Sequence, residues 1–228
     1  MYLCALAVRV LSKELSLNTN SFVFWDDNFL EREKVKKNFK DVYVIEPDKE
    51  VSNWPKQLLE YSGFSKFITT NEDQKKTEQY QARNLFLESK SSSNNEINFL
   101  SKLKIKPKMV KIDKSNVSRA SQLSIKTNQF NFNLKRLKTN QLMVKTKNQN
   151  YFVVKLDDSL GDHGYIALLS LKKENKFMFV DQFLISCRVL GRYLENWIIN
   201  ELKTICKKEK INKLFFEYTK SEYNQVTL

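Results

Sequence analysis

Glycine and proline are scarce in this 228-residue chain, with four glycines and three prolines. That excludes a collagen-like or Pro/Gly-rich low-complexity protein and leaves Asn and Ser to punctuate the chain. Histidine occurs once, as His163, so no histidine metal cluster can form and a Ser-His-Asp triad has one candidate base at most. The three cysteines, Cys4, Cys187 and Cys206, are scattered, odd in number and without C-x-x-C spacing. They argue against a disulfide scaffold or zinc site and for a reducing compartment, the cytoplasm. No apolar run approaches the ~20 residues that cross a bilayer, so no membrane partner is expected. The opening MYLCALAVRVLSKEL meets Arg9 and Lys13 too early for a signal peptide and predicts an amphipathic helix.

What is present is a globular composition, 41% hydrophobic and 12% aromatic, enough for one large or two small domains. The net charge of +13 is lopsided. Residues 1–90 hold 14 basic and 14 acidic residues, whereas residues 91–228 hold 25 basic and 12 acidic. A basic second half favours an anionic partner: nucleic acid, a phosphorylated cofactor or an acidic carrier protein. Lysine outnumbers arginine 32 to 7. Base readout leans on arginine, so nucleic acid is the weakest of the three.

The segment Ser21 to Val35, SFVFWDDNFLEREKV, carries the most chemistry. An apolar run, Phe22 to Trp25, stops at two adjacent carboxylates, Asp26 and Asp27. A helix-favouring stretch, Phe29 to Phe39, and a second apolar run, Val42 to Ile45, complete a strand–helix–strand unit. Carboxylates at the carboxyl end of a buried strand sit where open α/β sheets bind ligands. Side by side they repel unless a cation such as Mg²⁺ compensates them. Equally, one of them can simply cap the helix that follows.

Further on, short helices are expected at Trp54 to Tyr61 and, after the capping candidates Thr70 and Asn71, a longer one at about Glu72 to Glu88. SKSSSNN, Ser89 to Asn95, reads as a polar linker. Beyond it the pattern predicts a helix at Ile97 to Leu103, a strand at Met109 to Ile112 and a helix at Ser115 to Ser124 capped by Ser115. A helical or irregular stretch follows. Three β-rich runs come next, Tyr151 to Leu156, Tyr165 to Leu171 and Phe177 to Ile185, joined by turns short enough for antiparallel pairing. A long helix of about Leu190 to Lys208 and a strand at Lys213 to Tyr218 close the chain.

The Ser21–Val35 stretch resembles the fourth motif of the FkbH-like family, a branch of the haloacid-dehalogenase (HAD) phosphatases. TNQFNF (Thr127 to Phe132), GDHG (Gly161 to Gly164), LISCRVLGR (Leu184 to Arg192) and Asn224 resemble the second, GNAT-type acyltransferase half of the same family. The resemblance runs in order over nearly the whole chain. It implies a HAD half that uses Mg²⁺, held here by Asp26 and Asp27, to load a glyceryl group from a phosphorylated glyceryl donor onto an acyl carrier protein as a thioester. The order strand, helices, three-strand meander, long helix, strand is that of a GNAT core. The expected fold is therefore α/β: a partial HAD-like parallel unit over residues 1–88, a linker at 89–95, and a GNAT-like mixed domain with a mostly antiparallel sheet over 96–228.

The departures are equally definite. The HAD nucleophile motif D-x-D-x-T/V is absent, since the only aspartate pairs are Asp26-Asp27 and Asp157-Asp158, and the family's C-S-K-N segment is missing too. Without its nucleophile a phosphatase should not turn over by that route. The chain reads as an internal fragment or doubly truncated paralogue.

In the second half, R-x-x-G at Arg188, Gly191 and Arg192 fits the first positions of the loop that cradles the pyrophosphate of coenzyme A in GNAT folds. Tyr193 stands where a small residue belongs, which suits a degraded site or a carrier-borne phosphopantetheine arm; the alternative is a tight turn with solvated arginines. Cys187 adjoins the loop and gains thiolate character if the helix end and arginines face it, although a free cysteine also packs as a small hydrophobe. Asp181 interrupts an apolar strand and is either paired or faces a cleft; His163 is the single base that could approach Cys187. Thr127, Asn128, Gln129 and Phe130 suit a polar acyl group, or cap a helix. Asp162 sits in a hairpin turn beside glycines, and Asn224 opens the expected last helix.

Overall fold

The computed structural model describes residues 3–15, 17–64, 75–93, 95–221 and 224. The chain divides into two compact units, Met1–Ile68 and Thr69–Leu228.

In the first unit, helix α1 (Leu3–Leu15) precedes strand β1 (Val23–Trp25), helix α2 (Phe29–Asn38), strand β2 (Tyr43–Ile45) and helix α3 (Trp54–Glu60). β1 and β2 pair in parallel, Phe24 opposite Val44. The expected strand–helix–strand unit is thus present. α2 lacks an apolar stripe wide enough to organise it; Val35 is its buried apolar anchor, packing with Val8, Val42, Phe24 and Phe39. Its exposed face is laced by i,i+3 pairs, Glu31–Lys34 and Glu33–Lys36.

The second unit begins, within the described residues, with helix α4 (Lys76–Ser91) and helix α5 (Glu96–Lys102). Residues 70–74, including the expected caps Thr70 and Asn71, lie outside the described residues. Strands β3 (Lys106–Lys111), β4 (Phe130–Asn131), β5 (Asn150–Asp158), β6 (Gly161–Glu174), β7 (Phe177–Ile185) and β8 (Lys213–Phe216) form one sheet in the order β3-β5-β6-β7-β4, with β8 also on β7. All pairings are antiparallel except β7–β8. Helices α6 (Val117–Lys126) and α7 (Thr139–Lys145) connect β3 to β5, and α8 (Leu194–Lys208) is the crossover that makes β7 and β8 parallel. Alternation along the strands splits the core. Tyr151, Val153, Leu168 and Leu184 meet Val117, Ala120, Leu123 and Leu142 on one face. Val154, Ile166, Leu169 and Phe183 meet Leu194, Ile198 and Leu202 on the other.

Three details differ from expectation. The long helix starts at Leu194, four residues late, because Gly191 (φ 87°) and Tyr193 (φ 55°) both adopt left-handed backbone ahead of it. Helix α6 begins at Val117, and Asp113, not Ser115, serves its first turn by accepting the Ser115 and Asn116 N–H groups. The division of the chain also falls at 68/69, ahead of the expected 88/89. Residues Gln79, Ala82 and Phe86 of α4 are buried, Gln79 Nε2 donating to the His163 carbonyl at 3.2 Å, so this helix is part of the second unit's packing. Residues 89–91 of the expected linker are the end of that helix and Ser92 is its cap: the Ser91 and Ser92 hydroxyls donate to the Glu88 carbonyl.

Candidate functional site

β1 stops at Trp25 because the next residues turn to start α2. Asp26 Oδ1 accepts the Asn28 N–H at 2.8 Å, and Asn28 Oδ1 accepts the Leu30 N–H at 2.9 Å, which makes Asn28 the helix cap. Arg32 Nη1 donates to the carbonyls of Asp26 and Asp27, both at 2.9 Å, while its Nε pairs with Glu46 at 3.0 Å. The positive charge at the end of β1 is therefore Arg32, directed at carbonyls. Asp27 is exposed, and Asp26 is shared between an amide and the Cys4 thiol, 3.8 Å away. Among the described residues no group of three or more His, Cys, Asp or Glu could hold a metal ion. The expected Mg²⁺ site at Asp26 and Asp27 does not fit the residues present: one carboxylate is turned to the helix start and the other to solvent, with no third donor.

In the second unit the loop between β7 and α8 is built around a tight 3-10 turn, Cys187–Val189. Its two arginines turn inward, 8% (Arg188) and 3% (Arg192) exposed. Arg192 Nε donates to Asp158 Oδ2 at 2.9 Å, and the face of the Phe86 ring lies 4.0 Å from its guanidinium carbon. Asp158 ends β5; its Oδ1 accepts the Leu160 N–H and lies 2.8 Å from His163 Nε2, a close approach poorly aligned for a hydrogen bond. Burial pushes the Asp158 carboxyl up, but His163 and Arg192 together hold it below the usual carboxylate range. Burial pulls the Arg192 guanidinium down against the pull of Asp158. Helix α4 closes the cluster through Gln79, Phe86 and Tyr80, whose phenol is raised by burial and by Cys187. Asp158 was visible in the sequence only as half of an aspartate pair at a strand end; Gln79, Tyr80 and Phe86 carried no signal of their own.

The alternative of a tight turn with solvated arginines does not hold, since both side chains are buried. A Cβ on Gly191 would make ordinary contacts with Phe86 and Lys90 Nζ, both at 3.5 Å, and its φ of 87° is what calls for glycine. Lys90 pairs with Glu96 at 2.7 Å, and Tyr193 Oη donates to Glu96 at 3.3 Å. The rim of the loop thus carries a lysine–glutamate pair, and Phe86 lies beside Gly191.

Of the candidate catalytic residues, His163 faces Asp158 through Nε2 at 2.8 Å. Asp181 lies mid-strand, where the Ser170 hydroxyl donates to it, and burial together with Asp181 pushes the neighbouring Tyr151 phenol up. Four steps along the strand take Asp181 to Ile185, roughly 13 Å at the rise of a strand, before Cys187 is reached. Asp162 accepts the Gly164 N–H and lies 3.6 Å from both Lys75 and Lys155 on an exposed turn.

The TNQFNF segment and Asn224 do come together. Asn131 Nδ2 donates to the Thr127 carbonyl, and its Oδ1 accepts the Leu134 N–H. Arg136 donates to the Ser124 and Thr127 carbonyls and to Asn128 Oδ1. Phe130 and Asn131 form β4 against Ile185 and Leu184, Gln129 is half-exposed, and Asn224, fully buried, donates to the carbonyls of Asn131 and Thr219. Its Oδ1 accepts from Ser221. These amides satisfy buried backbone rather than lining an open pocket.

No protein-family model and no curated protein matches this chain. Among solved structures it is similar to a possible acetyltransferase from Clostridium difficile 630 (14% identity, 51% of this chain and 81% of that chain, TM-score 0.36). It is also similar to a GNAT family acetyltransferase from Staphylococcus aureus (12%, 52% and 90%, 0.36). A third is an aminoglycoside antibiotic 6'-N-acetyltransferase from Acinetobacter baumannii (10%, 54% and 84%, 0.38). Likenesses this slight decide nothing about the chemistry of this chain. No helix of the described residues is long and apolar enough to cross a membrane.

Proposed function

We propose that residues 69–228 are a GNAT-type acyl-transfer unit of an FkbH-like protein, and that the unit engages an acyl thioester presented by an acyl carrier protein. The observation that carries this reading is the β7–loop–α8–β8 crossover. It adds one parallel pair to an antiparallel sheet, with Gly191 in a left-handed conformation just ahead of a 15-residue helix. The buried Arg188 and Arg192, with Tyr193 where a small residue is expected, favour a carrier-borne phosphopantetheine arm over free coenzyme A as the donor. Here Arg192 and Asp158 hold the loop and helix α4 on the sheet.

The strand–helix–strand unit is assigned, on the same resemblance, to the carboxyl part of a HAD half. Without the D-x-D-x-T/V nucleophile motif and without a fitting Mg²⁺ site among the described residues, it is not expected to turn over the phosphorylated glyceryl donor. A second reading, a carrier-binding unit without chemistry of its own, is favoured by the engagement of His163 with Asp158 and of Asp181 with Ser170.

The test is incubation with radiolabelled acyl carrier protein thioester and, separately, with labelled acyl-coenzyme A. Retention of the carrier on the protein, with no retention of acyl-coenzyme A, is the expected result. Label leaving the carrier for an acceptor selects transfer over docking. Tight acyl-coenzyme A binding refutes the preference for a carrier-borne donor, and absence of any carrier binding refutes both readings.

A further inference from the structure

The last turn of α8 and the start of β8 enclose a groove of about 250 Å³ lined by Lys203, Cys206, Lys207, Ile211, Asn212 and Leu214, with Lys213 at its edge. Cys206, Ile211 and Leu214 are half-buried and pack on the α8-side core, so the floor is apolar, whereas Lys203, Lys207 and Lys213 are exposed around it. Residues 203–213 contain five lysines and one glutamate. The glutamate, Glu209, is already paired with Lys173 at 2.7 Å. None of the five lysines, Lys203, Lys207, Lys208, Lys210 and Lys213, forms an ion pair among the described residues.

Part of this has an ordinary explanation. Lys207 and Lys208 complement the helix dipole, and Lys213 keeps β8 from pairing with another chain. Neither accounts for an apolar trough bounded on both elements by unpaired ammonium groups. Such a trough matches a helix with one apolar stripe flanked by carboxylates: the stripe covers Ile211 and Leu214, and the carboxylates meet the lysines. Nucleic acid fits less well, because none of the seven arginines lies in residues 203–213 and no aromatic ring lines the groove for base stacking.

We propose that this groove is a docking surface for an acidic amphipathic helix on a partner protein. It deepens the carrier-protein reading and rests on it for the partner's identity; the groove itself stands on charge and shape.

The experiment uses the full chain and a fluorescent helical peptide with a leucine stripe flanked by glutamates, followed by anisotropy. Cys206 supplies a reporter inside the groove, read as its rate of alkylation in a Cys4→Ser/Cys187→Ser background. Saturable binding that slows Cys206 alkylation and weakens with salt is expected. Lys203→Glu/Lys207→Glu/Lys213→Glu, with an unchanged circular dichroism spectrum, should weaken it about tenfold or more. Unchanged affinity in that variant, or binding that leaves Cys206 unprotected, overturns the proposal. So does tighter Cys206 protection by single-stranded DNA or by anionic lipid vesicles than by the peptide. If the triple variant does not fold, Lys203→Gln/Lys207→Gln is read instead by the same two signals. Acyl transfer from a carrier that survives the triple reversal sinks the groove but not the carrier reading. Peptide docking without any carrier binding does the reverse.

Discussion

Replacing Asp158 by Asn should be among the most damaging single changes in the second unit. The Asp158 and Arg192 side chains are both 0% exposed, and Arg192 Nε has Asp158 as its charge partner at 2.9 Å. Taking away one partner leaves a guanidinium in the interior with the Phe86 ring and a long 3.5 Å bond to the Arg188 carbonyl, but no opposite charge. Breaking a buried pair this way costs about 3–5 kcal/mol, while replacing both partners by neutral groups of similar size is often nearly neutral. Asp158→Asn should therefore destabilise by ~3 kcal/mol at neutral pH. Asp158→Asn/Arg192→Met should recover ~1–2 kcal/mol of it.

The assay is urea unfolding followed by Trp197 on α8, with Trp25 and Trp54 changed to Phe so that the first unit is silent. The pH dependence has a definite sign. Because the folded-state Asp158 carboxyl is held below its ordinary value, its stabilisation is present above the unfolded-state pKa of about 3.9 and disappears as pH falls through the folded value. The gap between wild type and Asp158→Asn should narrow on acidification over that range. A loss under about 1 kcal/mol for the single variant, or a double variant less stable than Asp158→Asn, would refute the view that this pair is a buried charge couple.

Phe86→Ala removes a ring that is 1% exposed and lies over Arg192; about 3–5 kcal/mol should be lost, seen in the same unfolding curve. Asn224→Ala strips two donors from the Asn131 and Thr219 carbonyls, and a loss of ~2 kcal/mol is expected from orphaned buried acceptors, measured as a lower urea midpoint. Asn28→Ala should cost ~1 kcal/mol in the first unit alone, reported by Trp25 and Trp54 fluorescence with Trp197 changed to Phe. Millimolar Mg²⁺ should leave the melting temperature unmoved and give no saturable heat on titration; a saturable signal lost in Asp26→Ala would restore the metal site.

The elements legible in the sequence were those with strong periodicity. The β5–β7 meander announced itself by branched and aromatic runs between short turns, and α8 by apolar residues at helical spacing. β4 was not legible, since two residues hold no period. The Ser89–Asn95 stretch looked like a linker because serine favours both loops and helix ends, and the hydroxyl bonds to Glu88 resolve which. At the site, adjacency was readable but direction was not. Arg188 and Arg192 could be placed on one loop, yet nothing local says that Arg192 turns inward, because its partner Asp158 is 34 residues earlier in the chain.

The Asn224–Asn131 bond joins residues 93 positions apart. Synthesis runs from the amino end, so β4 stays without this tether until position 224 has cleared the ribosome. During that interval β4 rests on its two-residue pairing with β7 and on the Phe183 ring, and the nascent unit is at its most vulnerable to proteases and to sticking to its neighbours.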